Sequence, residues 1–368
     1  MVAGCENAAP PPTDLGVPWA LAEHRKATLS EVAYTISLDI PEARSDAIQG
    51  DTRVAFTWND PQGFPLVLDF LKAADRVRRV EVNGAAADWS SLNDHVVIPA
   101  AALRAGSNEV RLVYTAGDEA LNRNDDFLYA LFVPDRAHFS LPVFDQPNLK
   151  ATVAWSLTLP GSWQALANGP LREESGTPER RTLDFAATRP IPTYLFAFVA
   201  GRFEVEDAVV DGRALRMFHR EDDAGKVARN RDAIFDLHAK ALAWLEEYTG
   251  IAYPFQKFAF ALIPSFQYGG MEHPGGILYN ASGLMLDETA TQGQILGRAS
   301  VIAHETTHMW FGDYVTMNWF DDVWMKEVFA NFMAAKIVHP AFPDVDHDLR
   351  FLMAHVPAAY AVDRTRGA

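Results

Sequence analysis

The run Val301-Ile302-Ala303-His304-Glu305-Thr306-Thr307-His308-Met309-Trp310 sets two histidines four residues apart. On an α-helix that spacing puts both imidazoles on one face, within reach of a single ion. Glu305 leans to the neighbouring side, placed to take a proton from a water on that ion. A catalytic zinc takes three protein ligands and keeps a fourth position open. Glu327 is the candidate third ligand; it follows His308 after 18 intervening residues, in Trp324-Met325-Lys326-Glu327-Val328-Phe329. Histidine and glutamate on a helix ordinarily make a solvated face. Here they sit between Ile302 and Met309-Trp310-Phe311, and burying two imidazoles and a carboxylate without a partner costs several kcal/mol. A metal ion removes that cost. The chemistry expected is therefore one zinc on His304, His308 and Glu327, with Glu305 as general base.

The elements that must position these residues follow from periodicity. Gln292 to Trp310 and Asp321 to Val338 are predicted helices, the second able to pack on the first. In Ala224 to Tyr248 the apolar positions Val227, Ile234, Leu237, Ala241, Leu245 and Tyr248 fall at helical spacing, with Gly250 as the stop. A strand-like run, Phe258 to Ile263, and the Gly-rich segment Tyr268 to Gly276 come before the metal motif. From about Thr28 to Phe203 the pattern has period two instead, as in Val32 to Ile40, Thr52 to Trp58 and Asn108 to Tyr114. Turn residues such as Asn59-Asp60-Pro61, Asn83-Gly84 and Pro160-Gly161-Ser162 separate these runs. The expected fold class is multi-domain α+β. A flexible tail (1–14) leads into an antiparallel β saddle or sandwich (15–205), then a mixed α/β domain (206–368).

Composition narrows the function classes. With 49% hydrophobic residues in 368, the chain can bury sizeable cores. No run approaches the ~20 apolar residues of a membrane span. A formal net charge of -16 repels phosphate backbones, so nucleic acid is a poor partner. The single cysteine, Cys5, excludes an internal disulfide and a Cys-ligated zinc, which alone points to the cytoplasm. Its setting points elsewhere. Val2-Ala3-Gly4-Cys5, followed by a polar, Pro-rich stretch, resembles a bacterial lipobox without the apolar signal core that precedes one. The expectation is a lipid anchor at Cys5 in the native precursor and a periplasmic or membrane-anchored lipoprotein, with a cytoplasmic protein as the alternative.

Three segments together resemble the gluzincin aminopeptidases, the family of aminopeptidase N and leukotriene hydrolase. They are the metal motif with its distant Glu327, Gly269-Gly270-Met271-Glu272-His273 against the family's G-x-M-E-N strand, and Phe144-Asp145-Gln146-Pro147 against its F-D-x-P segment. The resemblance implies a saddle-like β domain, a thermolysin-like catalytic domain, and removal of N-terminal residues from peptides with a free N-terminus. It assigns Glu272 to the substrate's α-ammonium, and puts Gly269, Gly270, Met271 and His273 against the substrate. It also leaves open a bifunctional hydrolase on the same metal residues and a non-catalytic binding protein on the same fold.

The sequence departs from that pattern at several places. His273 replaces the family's Asn, Val133 stands where a Gln or Glu often helps to hold the amine, and Lys326 and Val328 flank Glu327 in place of Asn and Gly. The family also carries an oxyanion-binding Tyr well beyond the third ligand, followed by a helical domain. Tyr360 is the only later tyrosine here and falls too early for that role. The resemblance thus implies a chain truncated before that domain, lacking one oxyanion donor; such a loss typically lowers rates by about 10²–10³.

Overall fold

A computed structural model describes residues 10–365 of the protein. Cys5, and with it the expected lipid anchor, lies outside the described residues. The N-terminal part is β-rich and the C-terminal part is mixed α/β. Its first element is a helix that period-two reading does not show, Trp19–Thr28, whose Arg25 is buried.

The N-terminal part is built on an eight-stranded sheet. Leu29–Asp39 pairs antiparallel with Gln49–Trp58, which pairs antiparallel with Gly106–Thr115. On its other side Leu29–Asp39 runs parallel to Thr152–Pro160. Burial alternates along these strands: in Leu29–Asp39, Tyr34, Ile36 and Leu38 are buried while Thr35 and Asp39 are exposed. One face therefore meets water and the other packs on a three-stranded and a four-stranded sheet.

From Glu204 onward the strands belong to a five-stranded sheet. Arg213–His219 connects through the helix Ala224–Thr249 to Phe258–Ile263, parallel to it, as a crossover helix requires. Asp223 caps that helix by accepting from the Lys226 N–H, and Gly250 ends it at φ 68°. Phe258–Ile263 is buried at every position, being covered on both faces. The strand Gly270–Met271 lies at the sheet edge, antiparallel to Ile277–Asn280.

Two helices complete the frame. Gln292–His308 starts with a capping box, Thr291 and Gln294 each bonding the other's backbone N–H. It packs on Val323–Ala341, and a further helix, His347–Asp363, follows. No helix among the described residues is long and apolar enough to cross a membrane.

Candidate metal centre

The helix Gln292–His308 is polar in its last two turns and still buried there. Thr306 and Thr307 satisfy their buried hydroxyls by donating to the carbonyls of Ile302 and Ala303, 2.7 and 2.8 Å away. That leaves His304, Glu305 and His308 as the groups turned toward the cleft. His308 is buried, and its Nδ1–H donates to the Phe311 carbonyl at 3.0 Å. The Nδ1–H of His304 donates to Oδ1 of Asn331 at 3.2 Å. A carbonyl oxygen can only accept, so both Nδ1 atoms carry a proton, and in the neutral rings that bind a metal both Nε2 atoms present bare lone pairs.

These two Nε2 atoms face each other at 3.0 Å. With both rings neutral neither has a proton to share, and a cation between them, a metal ion or a proton, is what reconciles the approach. Oε2 of Glu327 lies 3.3 Å from Nε2 of His304 and 3.6 Å from that of His308. Zinc–nitrogen bonds of about 2.0–2.1 Å in a tetrahedron set neighbouring donors about 3.3 Å apart. The three observed separations bracket that value, and the donor set of two imidazoles and a carboxylate suits zinc. Glu272, Glu305 and His308 also come within metal-binding reach of one another. That second grouping offers one imidazole and two carboxylates, a donor set less suited to zinc than two imidazoles and one carboxylate.

Glu305 is buried beside this centre. Burial pushes its carboxyl up to about 8, His304 opposing and Glu272 adding to the rise; a bound dication acts in the lowering direction. Its side chain packs against the edge strand, where a β-carbon on Gly270 would stand 2.5 Å from its Oε1. Glycine at 270 is what lets the strand and the carboxylate coexist. Gly269, Gly270, Met271 and Glu272 all line the same cleft of about 590 Å³, together with Val133, His304, His308, Lys326 and Glu327.

His273, expected against the substrate, is placed away from the cleft. Its ring is wholly buried, is absent from the cleft lining, and has neither nitrogen hydrogen-bonded. Burial lowers its pKa to about 4, so the ring is neutral. Glu272, which the resemblance assigns to a substrate ammonium, lines the cleft and is paired there with Lys326. Burial alone would raise Glu272 and lower Lys326, but each holds the other charged.

Two further site residues escaped sequence reading. Asn331, which orients His304, stands four residues after Glu327 on the same helix, and that spacing was the available signal. In the sequence Lys326 stands out only as a departure from the family's pattern. The signal was its apolar setting, Trp324-Met325 before and Val328-Phe329 after, since a buried lysine needs a counter-charge. A larger groove of about 1450 Å³, lined by residues such as Trp244, Phe332 and Phe351, lies outside this constellation.

Comparison with known proteins agrees with the geometry. Residues 122–195 match the peptidase M1 N-terminal domain and residues 234–368 match the peptidase family M1 domain. Aminopeptidase N of Streptomyces lividans is 31% identical over 330 residues, covering 85% of this chain and 37% of that protein. The puromycin-sensitive aminopeptidase of Caenorhabditis elegans is 31% identical over 267 residues, 71% of this chain and 28% of its own length. Human glutamyl aminopeptidase is 35% identical over 206 residues, 54% of this chain and 21% of its own. The chain thus spans about a third or less of these relatives' length.

Proposed function

The chain belongs to peptidase family M1, and from that premise we propose that it acts as a zinc-dependent aminopeptidase, hydrolysing the first peptide bond of peptide substrates. The observation that carries this reading is the pair of bare imidazole nitrogens at tetrahedral spacing with Glu327, beside a buried carboxylate in an open cleft.

His304, His308 and Glu327 would hold the zinc. Bound there, it would polarise the scissile carbonyl and acidify a water. Every other step falls to the chain. Glu305, buried in the cleft beside the two imidazoles, takes the proton of the attacking water and passes it to the departing amine. Asn331 and the Phe311 carbonyl fix the imidazoles in the tautomer that leaves Nε2 free. Gly270–Met271, as an edge strand, offers unpaired backbone groups to an extended peptide. Glu272 lies in the cleft within reach of Glu305 and His308, where it marks the place of the substrate's N-terminus.

The test compares the zinc-loaded protein with its Glu305→Gln variant on aminoacyl p-nitroanilides. Loss of a positioned general base lowers turnover by about 10²–10⁴-fold. The variant should show that loss while keeping its zinc. Equal turnover in the two proteins would remove Glu305 from the mechanism.

A further inference from the structure

The cleft holds three carboxylates, Glu272, Glu305 and Glu327. Glu327 belongs with the two imidazoles and Glu305 is the base, so only Glu272 is left to attract a cation arriving with the substrate. That position is filled from within. Lys326 and Glu272 form an ion pair in which the residues are 6% and 3% exposed, so water screens it little. The lysine is also held in place by its surroundings. Its stem passes Gly312, where a β-carbon would stand 3.2 Å from Cδ, and its ammonium lies 2.9 Å from Oε1 of Glu327. The same ammonium stands 5.6 Å from the centre of the Tyr194 ring. Val133 adds an apolar side chain to this cleft rather than another anion.

Resting on the peptidase reading above, we propose that Lys326 is a specificity-determining residue. Its ammonium occupies the cation position of Glu272, so the cleft does not require a free α-ammonium and takes peptides whose first residue is N-acylated alongside unblocked ones. A second ammonium arriving at Glu272 meets the charge of Lys326 and gains little from a carboxylate already paired. An acyl group brings no charge. It brings a carbonyl oxygen, and an ammonium has three N–H donors, of which Glu272 and Glu327 engage two.

The experiment measures binding rather than turnover, by calorimetry on zinc-loaded protein carrying Glu305→Gln. The probes are trialanine amide and its N-acetyl derivative. With Lys326 in place the two peptides should bind within about threefold of each other. Adding Lys326→Met exposes Glu272 as an unpaired anion, and the unblocked peptide should then bind about tenfold or more tighter than the acetylated one. Adding Glu272→Gln as well should return the ratio to within about threefold, in a protein with no unpaired buried charge to destabilise it. A preference of tenfold or more for the free amine while Lys326 is present would overturn the proposal. So would a ratio that Lys326→Met leaves unchanged. If neither peptide binds any of the zinc-loaded proteins, the peptidase reading fails and the proposal with it; binding of both with an unaltered ratio removes the role of Lys326 alone.

Discussion

Gly270 packs so close to Glu305 that a β-carbon there would stand 2.5 Å from the carboxylate, and in the proposed mechanism this contact aims the base. A Gly270→Ala substitution must push Glu305 aside, because the strand is pinned by its pairing with Ile277–Asn280. The end of a side chain moves more cheaply than backbone, so the cost falls on catalysis rather than on folding. A displacement of about 1 Å at a catalytic group can lower turnover by about 10²-fold. Gly270→Ala should lose kcat on that scale with little change in melting temperature; unchanged kcat would show that Glu305 is not held by this contact. The candidate metal and base positions can be picked out of the sequence because helical spacing is local: four residues fix the relation of His304 to His308. The partner of Lys326 cannot, since Glu272 lies 54 residues away and no periodicity links them.

At the scale of elements, the site is positioned from the β-rich part of the chain as much as from its own helices. Lys150 donates to the carbonyls of Asp313 and Tyr314, each at 2.9 Å, tying the loop after the metal helix to the F-D-x-P neighbourhood. Asn168 donates to the Pro274 carbonyl at 3.0 Å, just beyond the edge strand. The F-D-x-P segment is in turn held by Asp69, which accepts the Asp145 N–H at 2.8 Å and binds the buried Arg25 through both oxygens at 2.6 and 2.8 Å. Burial alone would raise the Asp69 pKa, but Arg25 and His95 hold it far below the usual carboxylate range. A carboxylate depressed in the folded state stabilises fully above its unfolded pKa of about 4 and loses that contribution as pH falls toward its folded value. Breaking such a buried pair typically costs about 3–5 kcal/mol. Asp69→Asn should therefore be destabilised by that amount near pH 7 in urea unfolding. The gap should narrow by about 1.4 kcal/mol for each pH unit below about 4. A gap independent of pH would mean that the charge of Asp69 does not stabilise this junction.

Across the whole molecule, a β-rich part followed by a mixed α/β part was readable from the change of period along the chain, from two to three and four. The helix predicted over Gln292 to Trp310 forms over Gln292–His308, and that predicted over Asp321 to Val338 forms over Val323–Ala341. What periodicity does not carry is which apolar face is covered. Trp324 and Phe332 on Val323–Ala341 and Phe351 on His347–Asp363 stand exposed, although their types suggest a core. Nor does it carry ion pairs such as Arg25 with Asp69, since they join elements by tertiary packing alone.

In the proposed site a metal joins the helix of His304 and His308 to the helix of Glu327, and metal analysis of the purified protein tests this directly. The prediction is about one zinc per chain in the native protein and almost none after His308→Ala, which removes one of the three protein ligands a catalytic zinc requires. A native protein without stoichiometric zinc, or a His308→Ala variant that keeps it, would contradict the assignment.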